Sequence, residues 1–446
     1  MSIPAFSGLQ TALRGVQAHQ AALDVVSHNI SNVDTPGYSR QEAVFGAAPS
    51  LRLPSGAKQD GTGAQLGQGV DVLSYRRLRD DFLDLQYRAQ TMTASQSDVT
   101  AKRLTVVQST LGANTDGDLG KLMDKLWTAW DTLASNPTSQ AAKDAVLGAS
   151  QNVAQRFKTL DGDIASASAQ ATTAISDLLS DAGPIKPIAD ELAKLNTQIN
   201  YAQSSGRQPN DLLDRRDLLL DQLAQYGQVS VTADPTIGPD GKAAYPGMIQ
   251  VSFGGAATPL VSQTTVTMPT TATLSATPGG QLGGLQDVVA KADGYRTTLA
   301  TMANALISGV NALSATPVFT GTGATDIAVV ATGATISAGA GGGPAADNSV
   351  ANAIRALRGG SIDTTYAGLV RQIGSDVQTA NSTNTTATSV LNSIASQRAS
   401  VSGVSMDEEM ASLIRFQRGY QAAARALTTM DDILNTLINS TGRVGM

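Results

Sequence analysis

The sequence predicts a mainly α-helical protein with long N- and C-terminal helices paired as a coiled coil, a helical bundle body and a small all-β insert. Three observations predict this fold. Both ends of the 446-residue chain carry apolar residues that recur every seven positions. Helical periodicity continues through most of the interior. One internal stretch instead alternates apolar and polar residues between glycines and prolines, which is typical of short strands.

The first predicted helix covers residues 1–33. One apolar row recurs every seven residues, and a row with a polar half lies beside it. The first row is Leu9, Val16, Leu23 and Ile30, and the second is Phe6, Leu13, Gln20 and Ser27. An amphipathic helix folded onto its own domain would explain this periodicity. Because only Arg14 and Asp24 are charged here, we favour a surface that meets neighbouring copies in an assembly.

The matching C-terminal helix covers residues 405–440. Its main row is Met406, Leu413, Tyr420, Leu427 and Leu434, and its companion row is Met410, Gln417, Ala424, Asp431 and Ile438. Each terminal helix would be about 45 to 50 Å long, so the two could lie side by side. We therefore predict that they pair with each other. The predicted assembly interface consists of Leu9, Leu13, Val16, Leu23, Ile30, Leu413, Tyr420, Leu427 and Leu434.

Local signals mark where these helices stop and start. Pro36 and Gly37, between Asn32 and Tyr38, predict a type II turn, because proline fixes φ at the second position and glycine accepts positive φ at the third. Ser405 and Glu408 have the spacing of a capping box, in which each side chain accepts a hydrogen bond from the other residue's amide. The first helix should therefore end before the turn, and the last should begin after Ser405.

The interior is predicted to be helical up to about residue 226. A long bundle helix carries the row Leu78, Leu85, Met92, Val99 and Val106. Trp127 and Trp130 are predicted packing anchors of a shorter helix. Asn210 is a predicted N-cap. The charges that follow it, Asp211 with Arg215 and Asp214 with Arg216, are expected to pair locally on a solvated face.

The pattern changes from helical to alternating at residue 227, and helical periodicity returns only at residue 285. These changes predict three domains. Residues 1–60 with 402–446 form a terminal-helix assembly domain. Residues 61–226 with 285–401 form a helical body that includes a short irregular or β segment near 315–346. Residues 227–284 form the inserted β domain.

The chemistry of the chain favours no enzyme class. The sequence contains no cysteine, and its net charge of −6 gives no electrostatic footprint for nucleic acid. The two histidines, His19 and His28, lie outside any metal or catalytic motif, so we expect no catalytic, cofactor-binding or metal site. A secreted surface-binding module is the remaining alternative, but the insert supplies few aromatic residues for sugar stacking, chiefly Tyr245 and Phe253.

Three sequence motifs carry a resemblance to a known family. Residues 27–41, SHNISNVDTPGYSRQ, resemble the N-terminal signature shared by bacterial flagellar rod, hook and hook-associated proteins. Residues 402–410, SGVSMDEEM, with the helix that follows, resemble the hook-associated protein 1 (FlgK) family, whose members form the first hook–filament junction layer. Residues 209–217, PNDLLDRRD, are typical of that same family.

The resemblance implies a structural, non-enzymatic role without a cofactor. The protein would self-associate in a ring through its terminal helices, contacting flagellar hook protein on one side and the second junction protein on the other. A cytosolic export chaperone would bind the C-terminal helix. The chain lacks the pattern of a secretory signal peptide, so we expect export through the flagellum itself to the extracellular hook–filament junction. Another axial protein, a hook or rod subunit, is the closest alternative.

Overall fold

The computed structural model describes residues 7–52, 65–112, 116–238, 241–340, 344 and 346–440. Phe6 and the side chain of Ile438, both members of the predicted terminal rows, lie outside the described part. The described helices are α1 (Ser7–Ser31), α2 (Asp81–Thr110), α3 (Leu119–Ser135), α4 (Gln140–Leu179), α5 (Ile185–Ser204), α6 (Asn210–Ala224), α7 (Gly280–Leu313), α8 (Ser349–Arg355), α9 (Ser361–Ser402) and α10 (Met406–Ser440).

Short antiparallel strands accompany these helices. They are β1 (Gln41–Ala47), β2 (Leu51–Arg52), β3 (Gln65–Leu66), β4 (Val70–Arg77), β5 (Val229–Ala233), β6 (Ile249–Phe253), β7 (Val261–Ser262), β8 (Thr265–Val266), β9 (Phe319–Thr320) and β10 (Ala328–Val329). Among the described residues β1 pairs with β4, β2 with β3 and β9 with β10, and β5 to β8 form one sheet in chain order. The predicted fold class is therefore confirmed.

The two terminal helices pair in antiparallel orientation with a constant register. A Cβ placed on Gly8 would lie 3.2 Å from Met430 Sδ, and one on Gly15 would lie 3.4 Å from Ala423 Cβ. At the other end of the pair, the Asn29 side chain bonds to Glu409. Gly8 therefore lies opposite Met430, Gly15 opposite Ala423, and Asn29 opposite Glu409, without a shift in register. The pair therefore stays in contact over about 32 Å of helix.

A row of small residues, and not the predicted leucine row, lies between α1 and α10. Leu13 is 45% exposed, and Leu9, Val16, Leu23 and Ile30 are only half-buried. The row that faces α10 is Gly8, Ala12, Gly15, His19, Ala22, Val26 and Asn29. Small side chains allow the two helix backbones to approach closely, which leucines in the same positions would prevent. The prediction that the leucine row lies between the two helices is therefore wrong.

The corresponding residues of α10 also lie at the flank of the pair. Leu413, Leu427 and Leu434 are half-buried, and Tyr420 is 37% exposed. Gly419 instead lies closest to α1, because a Cβ on it would be 2.5 Å from His19 Cε1. The leucine rows of both helices therefore remain partly accessible in the single chain.

The β1–β4 hairpin lies across the terminal pair. Phe45 of β1 makes an edge-to-face contact with Phe416 of α10, with ring centroids 6.2 Å apart. Arg14 of α1 forms an ion pair with Asp71 of β4 at 3.2 Å. The register shifts between Val44 and Phe45, which marks a β-bulge. The hairpin thus fixes one side of the helix pair and leads the chain into α2.

The body is built around an apolar core of long helices. Trp127, Trp130 and Phe157 are fully buried there, so the predicted role of both tryptophans as packing anchors is confirmed. The indole N–H of Trp127 donates to Asp363 Oδ1 at 3.2 Å, which links α3 to the start of α9. Buried tryptophans of this size contribute a large share of a core's stability.

Only part of the predicted apolar row of α2 faces this core, where Val99 packs against it. Leu85 and Val106 are 63% and 55% exposed, whereas Thr91, Ser97 and Thr100 are buried. The hydroxyls of Ser97 and Thr100 donate to backbone carbonyls four residues earlier, at 2.9 and 2.8 Å. These bonds satisfy the hydroxyls inside the helix. Thr100 Oγ1 also lies 3.4 Å from the Gly284 carbonyl, so this part of the small row faces α7. The seven-residue apolar period therefore did not identify the buried face of this helix.

The β5–β8 sheet shares the core of the body. Val251, Phe253 and Val261 are buried and belong to the same apolar cluster as the body helices. Asn196 of α5 donates through Nδ2 to the carbonyls of Ile249 and Gln263, both at 2.9 Å. The sheet is therefore attached to α5 by apolar packing and by buried hydrogen bonds. Of the two aromatic residues noted in this segment, Phe253 is buried and only Tyr245 is partly exposed.

Candidate functional site: a charged joint between the terminal helices and the body

The three sequence motifs, which are far apart in the chain, meet at one place. This place is the junction of the α1–α10 pair with α2, α6 and α9, and we call it the joint. Its residues are Asn29, Ser39, Arg40, Arg77, Arg79, Asp84, Arg88, Asp214, Asp217, Asp221, Arg398 and Glu409. The joint therefore connects the terminal helix pair to the body.

Asn29 is the centre of the N-terminal part of the joint. Its Nδ2 donates to the Gln41 carbonyl at 2.9 Å and to Glu409 Oε2 at 3.1 Å. Its Oδ1 accepts from the Gln41 amide at 3.0 Å and from the Tyr38 hydroxyl at 2.7 Å. The side chain is buried, so all four bonds replace water that it would otherwise bind. One amide thus ties α1, β1 and α10 together.

The predicted turn lies between α1 and β1 and packs on α6. Asn32 donates through Nδ2 to the carbonyl four residues earlier at 2.9 Å, which caps the end of α1. Pro36 is exposed, and Gly37 has a φ of +81°. A Cβ on Gly37 would lie 2.9 Å from Leu218 Cβ, so glycine is required both for the backbone conformation and for space. Tyr38 follows with its ring half-buried.

The Tyr38 hydroxyl is partly buried and lies near three carboxylates. Burial raises the pKa of its hydroxyl, and the nearby carboxylates of Asp211, Asp214 and Glu409 raise the pKa further. The hydroxyl therefore stays protonated and remains a hydrogen-bond donor to Asn29.

Arg40 connects the start of β1 to the corner between α9 and α10. Its Nε donates to Glu409 Oε1 and its Nη1 to Glu408 Oε2, both at 2.6 Å, and its amide donates to the Ser402 carbonyl at 2.9 Å. The predicted capping box is therefore not formed as expected. The Glu408 carboxylate pairs with the Arg40 cation instead of reaching back to the neutral amide of Ser405. The Ser405 carbonyl accepts the Glu409 amide at 2.9 Å, which begins α10.

Asn210 and Asp211 attach α6 to the hairpin. The helix begins at Asn210 itself, after Pro209, so Asn210 is not the N-cap that the sequence predicts. Its Nδ2 donates to Gln41 Oε1 and to the Tyr75 carbonyl, both at 3.0 Å. Asp211 Oδ1 accepts from Gln41 Nε2 at 3.0 Å. These partners lie between 135 and 170 residues away in sequence, which local spacing does not reveal.

Asp214 also binds distant residues and not its neighbours on α6. Its Oδ2 accepts from the Ser39 amide at 3.0 Å, and its Oδ1 accepts from Arg77 Nη1 at 2.8 Å. The side chain is buried. The prediction that Asp214 pairs with Arg216 on a solvated face is therefore wrong, because a tertiary partner with better geometry reaches it from β4.

Asp217 is the most densely paired carboxylate of the joint. Its Oδ2 lies 2.9 Å from Arg77 Nη1 and 3.0 Å from Arg79 Nη1, and its Oδ1 lies 3.4 Å from Arg88 Nη2. All four side chains are between 8 and 17% exposed. Burial alone would raise the pKa of this carboxyl, but Arg79, Arg77 and Arg88 together lower it below its usual value. The group is therefore ionised over a wide pH range.

Two further carboxylates extend the network to α9. Arg79 Nη2 and Arg398 Nε both lie 2.7 Å from Asp84. Asp221 accepts from Arg88 at 2.8 Å and from Arg398 at 2.7 Å. The Arg398 guanidinium also lies 4.7 Å from the centre of a tyrosine ring on α2. Burial opposes the charge of Arg79, yet the adjacent Asp217 and Asp84 raise its pKa.

Arg216 connects the joint to the β5–β8 sheet. Its Nη1 donates to the Gly247 carbonyl at 2.8 Å, just before β6. Burial is the main cause of a lowered pKa for this guanidinium, and the neighbouring arginines Arg77, Arg88 and Arg79 lower the pKa further. Asp217 is the carboxylate that offsets this.

The arrangement is a network of buried ion pairs and hydrogen bonds. Each of its carboxylates accepts from guanidinium groups or from amides. Among the described residues, no group of three or more histidine, cysteine, aspartate or glutamate side chains is arranged to hold a metal ion. None of the described helices is both long and apolar enough to cross a lipid bilayer.

Sequence reasoning identified the motifs but missed most of these partners. The arginines of β4, α2 and α9 were not predicted as functional residues. The spacing of three aspartates could have indicated these partners. Asp214, Asp217 and Asp221 share one face of α6. Like charges on one helix face repel each other, so this pattern is unfavourable on a helix exposed to solvent. Such a face indicates a buried cationic partner.

Comparisons with known proteins agree with the three motifs. The sequence profile of the flagellar hook-associated protein FlgK helical domain matches residues 104–326, half of the chain. The profile of the flagellar basal body rod FlgEFG protein C-terminal region matches residues 395–440, and that of the flagella basal body rod protein matches residues 9–38.

Individual relatives are also similar. Flagellar hook-associated protein 1 of Bacillus subtilis (strain 168) is 28% identical over 504 aligned residues, which cover 98% of both chains. The protein of the same name from Escherichia coli (strain K12) is 31% identical over half of this chain and 39% of its own length. The structure of the flagellar hook junction protein FlgK from Burkholderia pseudomallei covers 52% of this chain and 43% of that one, with 22% identity and a TM-score of 0.43.

Proposed function

The chain belongs to the flagellar hook-associated protein FlgK family and is a structural subunit of the hook–filament junction, and from this premise we propose how it assembles. The α1–α10 pair packs against the pairs of neighbouring copies to form an inner layer of a ring. The joint then holds the body of each copy at a fixed angle outside that layer. Assembly proceeds without any catalytic step.

One observation carries this proposal. The small-residue row forms the contact between α1 and α10. The leucine rows of both helices therefore lie outside this contact and remain available to other chains. Leu9, Leu13, Val16, Leu23 and Ile30, with Leu413, Tyr420, Leu427 and Leu434, are half-buried or exposed there. Apolar rows of this kind on a helix pair are typical of surfaces that bury themselves against other helices.

The domain organisation and the contacts of the ring are part of the proposal. Residues 1–60 with 402–446 form the inner assembly domain, residues 61–226 with 285–401 form the body, and residues 227–284 form the outermost insert. Flagellar hook protein contacts the ring on one side, and the second junction protein contacts it on the other. The protein is extracellular and reaches this position through the flagellar export channel without a cleaved signal peptide.

A cytosolic chaperone covers α10 before export. Met406, Met410 and Ile414 share one face of this helix and are exposed in the single chain. Exposed apolar residues of this kind would promote aggregation in the cytosol. Pull-down of the full chain from cytosol should recover the chaperone, and removal of residues 405–446 should lose it. Recovery with the shortened chain would contradict this assignment.

Electron microscopy of gold-labelled flagella tests the position of the protein. An antibody raised against residues 227–284 should give a narrow band where the hook meets the filament. Label along the whole hook would indicate a hook subunit instead. Absence of label from the organelle would refute a flagellar location.

Substitution of the leucine rows tests the mode of assembly. Leu23→Asp or Leu427→Asp should abolish incorporation, because an unpaired charge in a buried helix contact costs about 3 kcal/mol or more. Val106→Asp is the matched control, since Val106 is exposed on α2, far from the terminal pair. Incorporation of both leucine variants at the normal level would contradict the proposal.

A further inference from the structure

A pocket of about 380 Å³ lies where β1 crosses the terminal pair. We call it the β1 pocket. Seven of its thirteen lining residues are apolar, among them Val25, Phe45, Leu78 and Phe416. Its charged lining residues are Arg40, Glu42, Glu409 and Arg415. The apolar part of the wall is suited to an aromatic or aliphatic anchor.

The cation at the edge of the β1 pocket has no carboxylate partner. The Arg415 guanidinium lies 4.8 Å from the centre of the Phe416 ring, and its Nη2 is 3.5 Å from Ser412 Oγ. Within the described part of the chain it forms no ion pair, unlike Arg40, which also lines the pocket and is paired with Glu408 and Glu409. Glu42 and Glu409 also line the pocket, but they are paired with Arg76 and Arg40. Arg415 is therefore the unpaired charge of the lining among the described residues, and the occupant should carry an acidic group next to its apolar anchor.

The first turns of α2 present such a group on the surface of the same chain. Leu85 lies four residues after Asp81 and three after Phe82, so it neighbours both on the surface of the helix, and we call the three residues the α2 stripe. Phe82 is 65% exposed and Leu85 is 63% exposed. Asp81 is also exposed, and the described residues offer it no ion pair. Large apolar side chains with this exposure mark an interaction surface.

The stripe does not fill the pocket of its own copy. None of its residues lines the β1 pocket, although Leu78, only four residues before Phe82, does. Four residues span at most about 14 Å, so the pocket and the stripe lie close together on the molecule. In a ring, rotation about the axis brings two different surfaces of neighbouring copies together.

We propose that the α2 stripe of a second copy docks in the β1 pocket, with Phe82 as the apolar anchor and Asp81 beside Arg415. This contact rests on the proposed ring, and it adds a lateral bond to the one between the terminal helices. It is heterologous, because each copy contributes its pocket to one neighbour and its stripe to the other. Such a contact closes into a ring when the rotation between copies is a simple fraction of a turn.

Crosslinking inside assembled junctions tests the contact. The chain has no cysteine, so Ala89→Cys with Ser412→Cys introduces the only two thiols. Ala89 continues the stripe by one turn and is exposed, and Ser412 lines the pocket. A short bis-maleimide added to isolated hook–basal bodies should give a ladder of covalent multimers. The control pair, Ser109→Cys with Ser412→Cys, places the thiol at the far end of α2 and should give none.

The docking contact and the proposed function are refuted by different outcomes. If the double-cysteine protein is present at the junction but yields no ladder, or if the control pair yields the same ladder, the contact is refuted and the proposed function stands. If the protein with native sequence is absent from the junction, the proposed function itself fails.

Charge exchange gives an independent readout. Arg415→Glu alone and Asp81→Arg alone should each lose most of the protein from the junction, and the double variant should restore it. Arg425→Glu, which changes an exposed charge on α10 away from the pocket, should have no effect. Phe82→Ala should also lose the protein from the junction, whereas Val106→Ala, exposed on the same helix, should not. Failure of the double variant to restore incorporation would refute the pairing of Asp81 with Arg415.

Discussion

Removal of one charge from the joint should loosen the connection between the terminal helices and the body. We select Asp217→Asn, because Asp217 contacts three guanidinium groups at 2.9, 3.0 and 3.4 Å. The amide has nearly the same volume, so the substitution changes charge with little change in packing. The three arginines would then share fewer carboxylates in a site that water reaches poorly.

The expected cost follows from the burial of these groups. Breaking a buried ion pair by removal of one partner costs about 3–5 kcal/mol. Asp214, Asp84 and Asp221 remain as partners of the same arginines, so we expect the lower end, about 3 kcal/mol, in the free energy of unfolding.

Urea denaturation followed by circular dichroism measures this cost. Asp98→Asn is the matched control: Asp98 lies 2.7 Å from Lys102 on α2, but these side chains are 40% and 72% exposed. An exposed pair of this kind contributes only about 0.3–0.5 kcal/mol. Equal effects of the two substitutions would refute the view that the joint depends on buried charge.

The pH dependence gives a second test of the same group. The folded state holds the pKa of Asp217 below its usual value, so its ionised form stabilises the fold at any pH above about 3.9. This contribution is lost as pH falls through the lower, folded pKa. The native protein should therefore lose stability more steeply below about pH 4 than Asp217→Asn. Parallel curves would refute the assigned shift.

Four other substitutions have definite expected outcomes in unfolding measurements. Gly419→Ala should lower the melting temperature, because its Cβ would lie 2.5 Å from His19 Cε1, whereas Gly368→Ala, with no atom within 4 Å, should stabilise α9 by about 0.5–1 kcal/mol. Asn29→Ala should cost about 3 kcal/mol or more, because it leaves several buried groups without hydrogen bonds. Trp130→Ala should cost about 3–5 kcal/mol through the cavity it creates. A change below about 1 kcal/mol in either of the last two would contradict the assigned packing.

The sequence by itself determined the features that depend on short-range patterns. Seven-residue periodicity located both terminal helices, alternation located the strands that follow residue 227, and the positive φ of Gly37 follows from its place after a proline. The motif at residues 27–41 also identified the superfamily. These signals succeed because helix period, strand alternation and turn geometry are properties of neighbouring residues.

Only the tertiary structure decided which faces and which charges meet. Periodicity fits the leucine row and the small-residue row of α1 equally well, and the close approach to Gly419 selects the small row. Asn29 meets Glu409 across 380 positions of sequence, and Asp214 meets Ser39 across 175. Such partners are chosen by the packing of whole helices, because buried charges are stable only where opposite charges and hydrogen bonds converge from several elements.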